Sequence, residues 1–144
     1  MKVRDVLRRK GAEVSTLEAA EPLTAAIRSF LGSKVRALVV TEAGRVVGIL
    51  AIRDVLAQLD RRGARALEDP LREAMTTDVI SVGLESTLQD AHDAFTSRGI
   101  NHLPVIHEGE LMGIVTPVDV LADHVDELDD QRALLQAYIT NSVF

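Results

Sequence analysis

Thr116 and Asp119 stand three residues apart in "GIVTPVD", a stretch that begins at Gly113. A hydroxyl, a proline and a carboxylate at this spacing describe a helix start, with Thr at the N-cap, Pro at the first helical position and Asp at the third. An acid there also complements the helix dipole. The same spacing suits a ligand. Free N–H groups at a helix start attract phosphate, and a carboxylate beside them can accept two hydrogen bonds from a vicinal diol. A second acid, Asp54, closes "GILAIRD", but there the hydroxyl position holds Ala51. Alanine has no capping oxygen, so capping alone does not account for Asp54.

His102 opens the apolar run "HLPVI" and is either a phosphate partner or a histidine half-buried at a strand end. Arg36 and Arg53 are phosphate partners or ordinary solubilising charges. His92 lies on an apolar helical stripe and reads as core or helix interface, while His107 sits in a turn. Asp119, Asp123 and His124 imitate a metal set, but no spacing in the chain matches a structural or catalytic metal motif. There is no P-loop, GxSxG or HExxH and no cysteine nucleophile, so no catalysis and no metal are expected.

The bulk composition narrows the class further. The chain has 144 residues, 47% of them hydrophobic and 26% charged, as in a globular protein. Its net charge of −6 argues against a nucleic-acid partner, which needs a basic face. No apolar run approaches the length of a membrane span. The N-terminal "MKVRDVLRRKG" lacks the apolar stretch of a secretory signal. The absence of cysteine suits a reducing cytoplasm, which is the expected location. The basic start (Lys2, Arg4, Arg8, Arg9, Lys10) and the acidic late helix (Asp123, Asp126, Glu127, Asp129, Asp130) read as two solvated faces. Val3, Val6 and Leu7 are expected to dock on the rest of the chain.

The elements that must position these groups are written twice. Sliding the chain by 65 positions without a gap aligns "GILAIRDVLA" at Gly48 with "GIVTPVDVLA" at Gly113, and gives 13 identities across positions 14–57. A gapless match of that length marks a duplicated supersecondary unit. Each copy begins with a β-rich run, at 14–17 and 79–82. A helix follows with its apolar stripe on Leu23, Ala26, Ile27 and Phe30, or on Leu88, Ala91, His92 and Phe95. Ser86 with Gln89 reads as a capping box, and Pro22 as a first-turn proline. Two strands joined by "TEAGR" or "HEGE" come next, and a second helix starts near Arg53 or Val118. Halves of about 60 residues are marginal alone, so one shared core is expected. The expected organisation is a basic helix over 1–13, motifs over 14–60 and 75–124 joined by a connector over 61–74 with a break at Pro70, and a C-terminal helix over 125–144. Leu134, Leu135, Tyr138 and Ile139 on that last helix form an apolar stripe needing a partner.

Two β-α-β-β-α copies, each closing on "GIVTPVD" or "GILAIRD", resemble a tandem pair of CBS domains, the Bateman module, and in particular small stand-alone bacterial CBS-pair proteins. The resemblance spans residues 14–124, and Ala51 departs from the usual Thr or Ser. It implies an α+β fold in which the copies are related by a pseudo-twofold axis, with two clefts between them. Such clefts take adenosyl ligands: AMP, ADP, ATP, NAD or S-adenosylmethionine. By resemblance, Asp119 and Asp54 would hold ribose hydroxyls, and Thr116 would lie near phosphate with His102. Val14, Val79, Ser81 and Pro104 would enclose the base. Arg36 and Arg53, present only in copy one, would return phosphate charge to the site of that copy.

Copy two supplies Thr116, Asp119 and His102, whereas copy one has Ala51, Asp54 and Ala37 at the matching places. The Asp119 cleft is therefore expected to bind more tightly. The resulting expectation is a regulatory module that senses an adenine nucleotide or NAD. It would act on an effector protein or on its own assembly, as a homodimer paired through its helices. The alternative is an interaction protein with empty clefts.

Overall fold

Each repeat is built around an antiparallel hairpin. In the first, Ala43 and Gly44 join β2 (Ala37–Glu42) to β3 (Arg45–Ala51); in the second, Glu108 and Gly109 join β4 (Leu103–His107) to β5 (Glu110–Val115). Both residues of each turn have positive φ, 51° and 78° in one, 51° and 80° in the other. This two-residue turn matches the twist of the flanking strands, and its second position favours glycine. The computed structural model describes residues 1–143, and the side chains of these except 124–127, 138 and 140–143. The readings placed on His124, Asp126, Glu127, Tyr138 and residue 144 lie outside the described residues.

The first copy adds β1 (Thr16–Glu18), parallel to β2 with Thr16 opposite Val39. The second copy departs from expectation here. Residues 79–82 form no strand, and only Val82 bridges to Val105. The reason is chemical. Val39 N donates to Ser15 O at 3.0 Å, but the repeat-equivalent of Val39 is Pro104, which has no N–H to give. What remains is Val82 N donating to Pro104 O at 3.0 Å and Ile106 N to Val82 O at 2.9 Å.

The helices follow the predicted stripes with shifted starts. Pro22 precedes α2 (Leu23–Gly32) as its N-cap instead of lying inside the first turn. Thr87, not Ser86, caps α4 (Leu88–Arg98): Asp90 N donates to Thr87 Oγ1 at 3.1 Å, and Thr87 N to Asp90 Oδ2 at 2.9 Å. Ser86 Oγ instead accepts from Gly83 N at 3.1 Å. After α3 (Ile52–Arg62) the chain makes two 3₁₀ turns, Gly63–Glu68 and Leu71–Glu73, on either side of Pro70. The closing helix of copy two and the C-terminal helix are one element, α5 (Pro117–Val143). Among the described residues, no helix is long and apolar enough to cross a membrane.

Two cores form where one was expected, and each borrows a segment. Leu23, Ala26, Leu38, Val40, Leu50 and Val55 of copy one pack with Ala66 and Leu71 from the stretch leading into copy two. Leu88, Ala91, Phe95, Leu103, Val105 and Val115 of copy two pack with Val3, Val6 and Leu7 of α1 (Val3–Lys10). The two borrowed segments dock in the same way. Val3 N donates to Ser86 O at 2.8 Å and Arg4 N to Leu84 O at 3.0 Å; Leu71 N donates to Glu21 O at 2.9 Å and Arg72 N to Ala19 O at 3.1 Å. The acceptors are 65 positions apart and the donors 68. The N-terminal segment is thus three residues longer than its counterpart, close to one helical turn.

Candidate functional site

Asp119 and Asp54 both take the third position of a helix, α5 and α3 respectively. Thr116 N donates to Asp119 Oδ2 at 2.9 Å, and Asp119 N approaches Thr116 Oγ1 at 3.4 Å. Asp54 Oδ2 accepts from Ala51 N at 2.8 Å. That bond needs only the backbone N–H of residue 51, which corrects the sequence argument. Asp54 completes its half of a capping box without a hydroxyl partner, so Ala51 is no evidence for a second role.

The two carboxylates differ in their company. Lys10, in the last turn of α1, donates from Nζ to Asp119 Oδ2 at 2.6 Å and to Ile114 O at 2.7 Å. Arg9 bonds Asp119 O at 3.0 Å and pairs with the buried Asp123. The basic start and acidic late helix, read as separate solvated faces, therefore meet each other. Burial pushes the Asp119 carboxyl up, but the hydrogen bonds from Lys10 and Thr116 and the Lys10 charge outweigh it and leave the group below its ordinary value. Among the described residues, Asp54 makes no ion pair.

A cleft opens beside each helix start; Asp54 lines its own, whereas Asp119 adjoins the other through Thr116 and Lys10 without lining it. The first, of about 250 Å³, is lined by Val14, Ser15, Lys34, Arg36 and Ala37 of copy one, by His102, Ile114 and Thr116 of copy two, and by Lys10 and Glu13. The second, of about 290 Å³, is lined by Val79, Ile80, Ile100, Asn101 and His102 of copy two, by Ile49, Ala51, Arg53 and Asp54 of copy one, and by Thr76 and Asp78. Val14 and Val79, Arg36 and Asn101, Thr116 and Ala51 are pairs at the repeat spacing of 65. Each cleft therefore combines the strand entry of one copy with the helix start of the other.

This composite construction overturns the copy-by-copy grouping of site residues. Arg36 lines the Asp119 cleft together with Val14, and Arg53 lines the Asp54 cleft together with Val79. His102 borders both. Burial lowers the His102 pKa below its ordinary value, and the charges of Lys10 and Arg36 lower it further, so the neutral imidazole is favoured. Ser81, Pro104 and Asp119 are not among the lining residues of either cleft. Ser81 is exposed beside the Val82 bridge, and Pro104 is buried within β4. Lys10, Lys34 and Asp78 escaped the sequence reading. The gapless offset of 65 aligns Lys34 with Gly99 and stops short of Lys10; the offset of 68 is the signal that reaches it.

A third concavity, an apolar groove of about 480 Å³, runs between α4 and α5 past Leu88, Phe95, Ile100, Val120 and Leu121. His92 is exposed on its wall and is not a core residue. Among the described residues, no group of three or more His, Asp or Glu is arranged to hold a metal ion.

Comparison with known proteins agrees with the duplicated architecture. The CBS domain matches twice, over residues 3–61 and 71–124. The two matches begin 68 positions apart, the offset at which α1 corresponds to the segment from Leu71. A CBS-domain protein from Agrobacterium tumefaciens of known structure is similar over 86% of this chain and 99% of its own, with 32% identity and a TM-score of 0.80. The CBS domain-containing protein YhcV of Bacillus subtilis is 26% identical over 122 residues, 85% of this chain and 86% of its own. A CBS domain pair, protein MJ0100, solved in complex with 5-methylthioadenosine and S-adenosyl-L-methionine, shares the fold (TM-score 0.76, 19% identity, 88% of this chain and 98% of that one). The chain spans only about half the length of two archaeal relatives, 45% and 52%.

Proposed function

The chain belongs to the CBS-domain family, and from that premise we propose that it is a regulatory module whose inter-repeat clefts bind an adenosyl ligand, with AMP, ADP, ATP or NAD favoured. The observation that carries this reading is the Asp119 cleft. A carboxylate able to accept a ribose diol stands at a helix start, with Thr116, His102, Arg36 and Lys34 around the adjoining cleft. The adenosyl ligands of the MJ0100 pair favour the same ligand class. Regulation requires the ligand to prefer one conformation or complex, so the output is a partner protein or the module's own assembly in a reducing cytoplasm. NAD and the nucleotides act as regulatory ligands, not as cofactors of a reaction.

The assembly we propose is a homodimer through the helical face. Leu56 on α3 and Leu121 on α5, repeat-equivalent residues, are 59% and 60% exposed. Ile52, Val118, Leu134 and Leu135 are further exposed apolar side chains of α3 and α5, and Leu121 also lines the α4–α5 groove. A twofold interface pairs such a patch with itself. Light scattering should report a dimer at micromolar concentration; a monomer would refute the pairing.

The ligand test is a thermal-shift panel of AMP, ADP, ATP, NAD, NADH and S-adenosylmethionine. A ligand at 100 times its Kd adds about 2.7 kcal/mol of stability. No shift with any of them would reject the sensing role and favour an interaction module with empty clefts.

A further inference from the structure

We propose that Lys10 makes the Asp119 cleft selective for adenosyl ligands that carry a 5′ phosphate, and that it does so by occupying the ribose-binding carboxylate until a phosphate releases it. The inference rests on the adenosyl reading of that cleft. Its observation is the position of Nζ, 2.6 Å from Asp119 Oδ2 and 2.7 Å from Ile114 O, at the mouth of a cleft that also holds Lys34, Arg36 and His102. The side chains of Lys10 and Asp119 are only 22% and 19% exposed, so the pair is partly withdrawn from water.

A diol that takes Asp119 Oδ2 must displace Nζ. The ammonium then needs a new anion, because an unpaired charge in a partly desolvated site is costly. A 5′ phosphate in the adjoining cleft supplies that anion to Lys10, Lys34 and Arg36 together. A neutral ligand breaks the same ion pair and offers no anion to Lys10, in a cleft where three cations face one acid, Glu13. The Asp54 cleft has no such device: Ile49 O there accepts from Thr76 N at 2.9 Å, a backbone bond where copy two uses Lys10. It is lined by one cation, Arg53, against two acids, Asp54 and Asp78.

The test is calorimetry with AMP and adenosine in an Asp54→Ala background, which confines the readout to the Asp119 cleft. With Lys10 present, AMP should bind at least about tenfold more tightly than adenosine, the scale of one charged hydrogen bond. Lys10→Met should shrink that ratio by about tenfold, weakening AMP while leaving adenosine unchanged or tighter. Lys10→Arg, which keeps the cation, should hold the ratio within about threefold of the parent. A ratio unmoved by Lys10→Met overturns this inference alone, since the cleft would still bind adenosyl ligands. Binding of neither compound overturns this inference, and overturns the sensing role with it only if the unsubstituted protein also shows no shift with any ligand of the thermal panel.

Discussion

The Asp119 and Asp54 clefts are lined at repeat-equivalent positions by chemically different residues: Lys34, Arg36 and Thr116 face Gly99, Asn101 and Ala51 as point substitutions, and Lys10 reaches its cleft because the leading segment is three residues longer. In copy one, the segment from Leu71 ends its docking with a backbone bridge, Thr76 to Ile49. In copy two, the equivalent edge atom, Ile114 O, is reached by the side chain of Lys10. One additional turn of α1 thus replaces a sheet-like contact with a cation that can move. Duplication sets the frame of both clefts, while substitutions within the repeats and a short length change in a flanking helix set their charge.

The largest effect that separates the two clefts should come from their carboxylates. Asp119→Ala is expected to weaken AMP binding about ten- to a hundredfold, through loss of charged hydrogen bonds. Asp54→Ala should leave the tighter binding event in place. Titration calorimetry on both variants checks this, and the reverse pattern would exchange the roles of the clefts. Next come the glycines against which the borrowed segments pack. A Cβ at Gly48 would lie 2.5 Å from Met75 Sδ and 2.9 Å from Thr76 O, whereas one at Gly113 would meet the Leu7 Cδ atoms at 2.9 and 3.3 Å. A backbone oxygen cannot rotate away as a leucine methyl can. Gly48→Ala should cost about 1–3 kcal/mol in urea unfolding, and Gly113→Ala distinctly less.

A smaller effect is expected from His102. Its folded pKa is lowered by burial, then by Lys10 and Arg36. A depressed folded pKa contributes stability above the unfolded value of about 6.5, and that contribution is lost as pH falls from there through the folded value. The melting temperature should therefore decline on acidification below about pH 6.5 more steeply in the wild type than in His102→Ala; parallel curves would show that His102 does not feel this environment. The smallest effect belongs to Lys10→Met on the stability of the empty protein. A partly exposed ion pair contributes at most about 1 kcal/mol, so chemical denaturation should move little even where ligand selectivity changes strongly.

Much of this architecture was legible from repetition alone. The match of Gly48 with Gly113 and of Asp54 with Asp119 located both hairpins and both helix starts, because turn and cap chemistry is local. The composite clefts were not legible by the same route, since a single copy says nothing about which copy faces it. Assigning Arg36 to the wrong cleft followed from that. Pro104 carried a readable signal that its neighbour strand would be cut short, visible once it is aligned with Val39. Lys10 fell outside the gapless match because the offset changes from 65 to 68 between the docking segment and the first strand. Ser81 and Pro104 were carried over from the family resemblance, and they do not line these clefts.

The exchange of leading segments also sets an order of events during synthesis. Val3, Val6 and Leu7 are made before either repeat, yet the core they join is complete only after Val120 has been added. At about 5–20 residues per second, α1 waits some 5–20 s for its seat. Copy one, by contrast, closes its core as soon as Leu71 is available. The nascent chain thus carries an undocked amphipathic segment, with Val3, Val6 and Leu7 uncovered, while its first half is already able to fold. That segment docks through backbone bonds to residues 80 and 83 positions away in sequence, which makes its docking the slowest closure the topology demands.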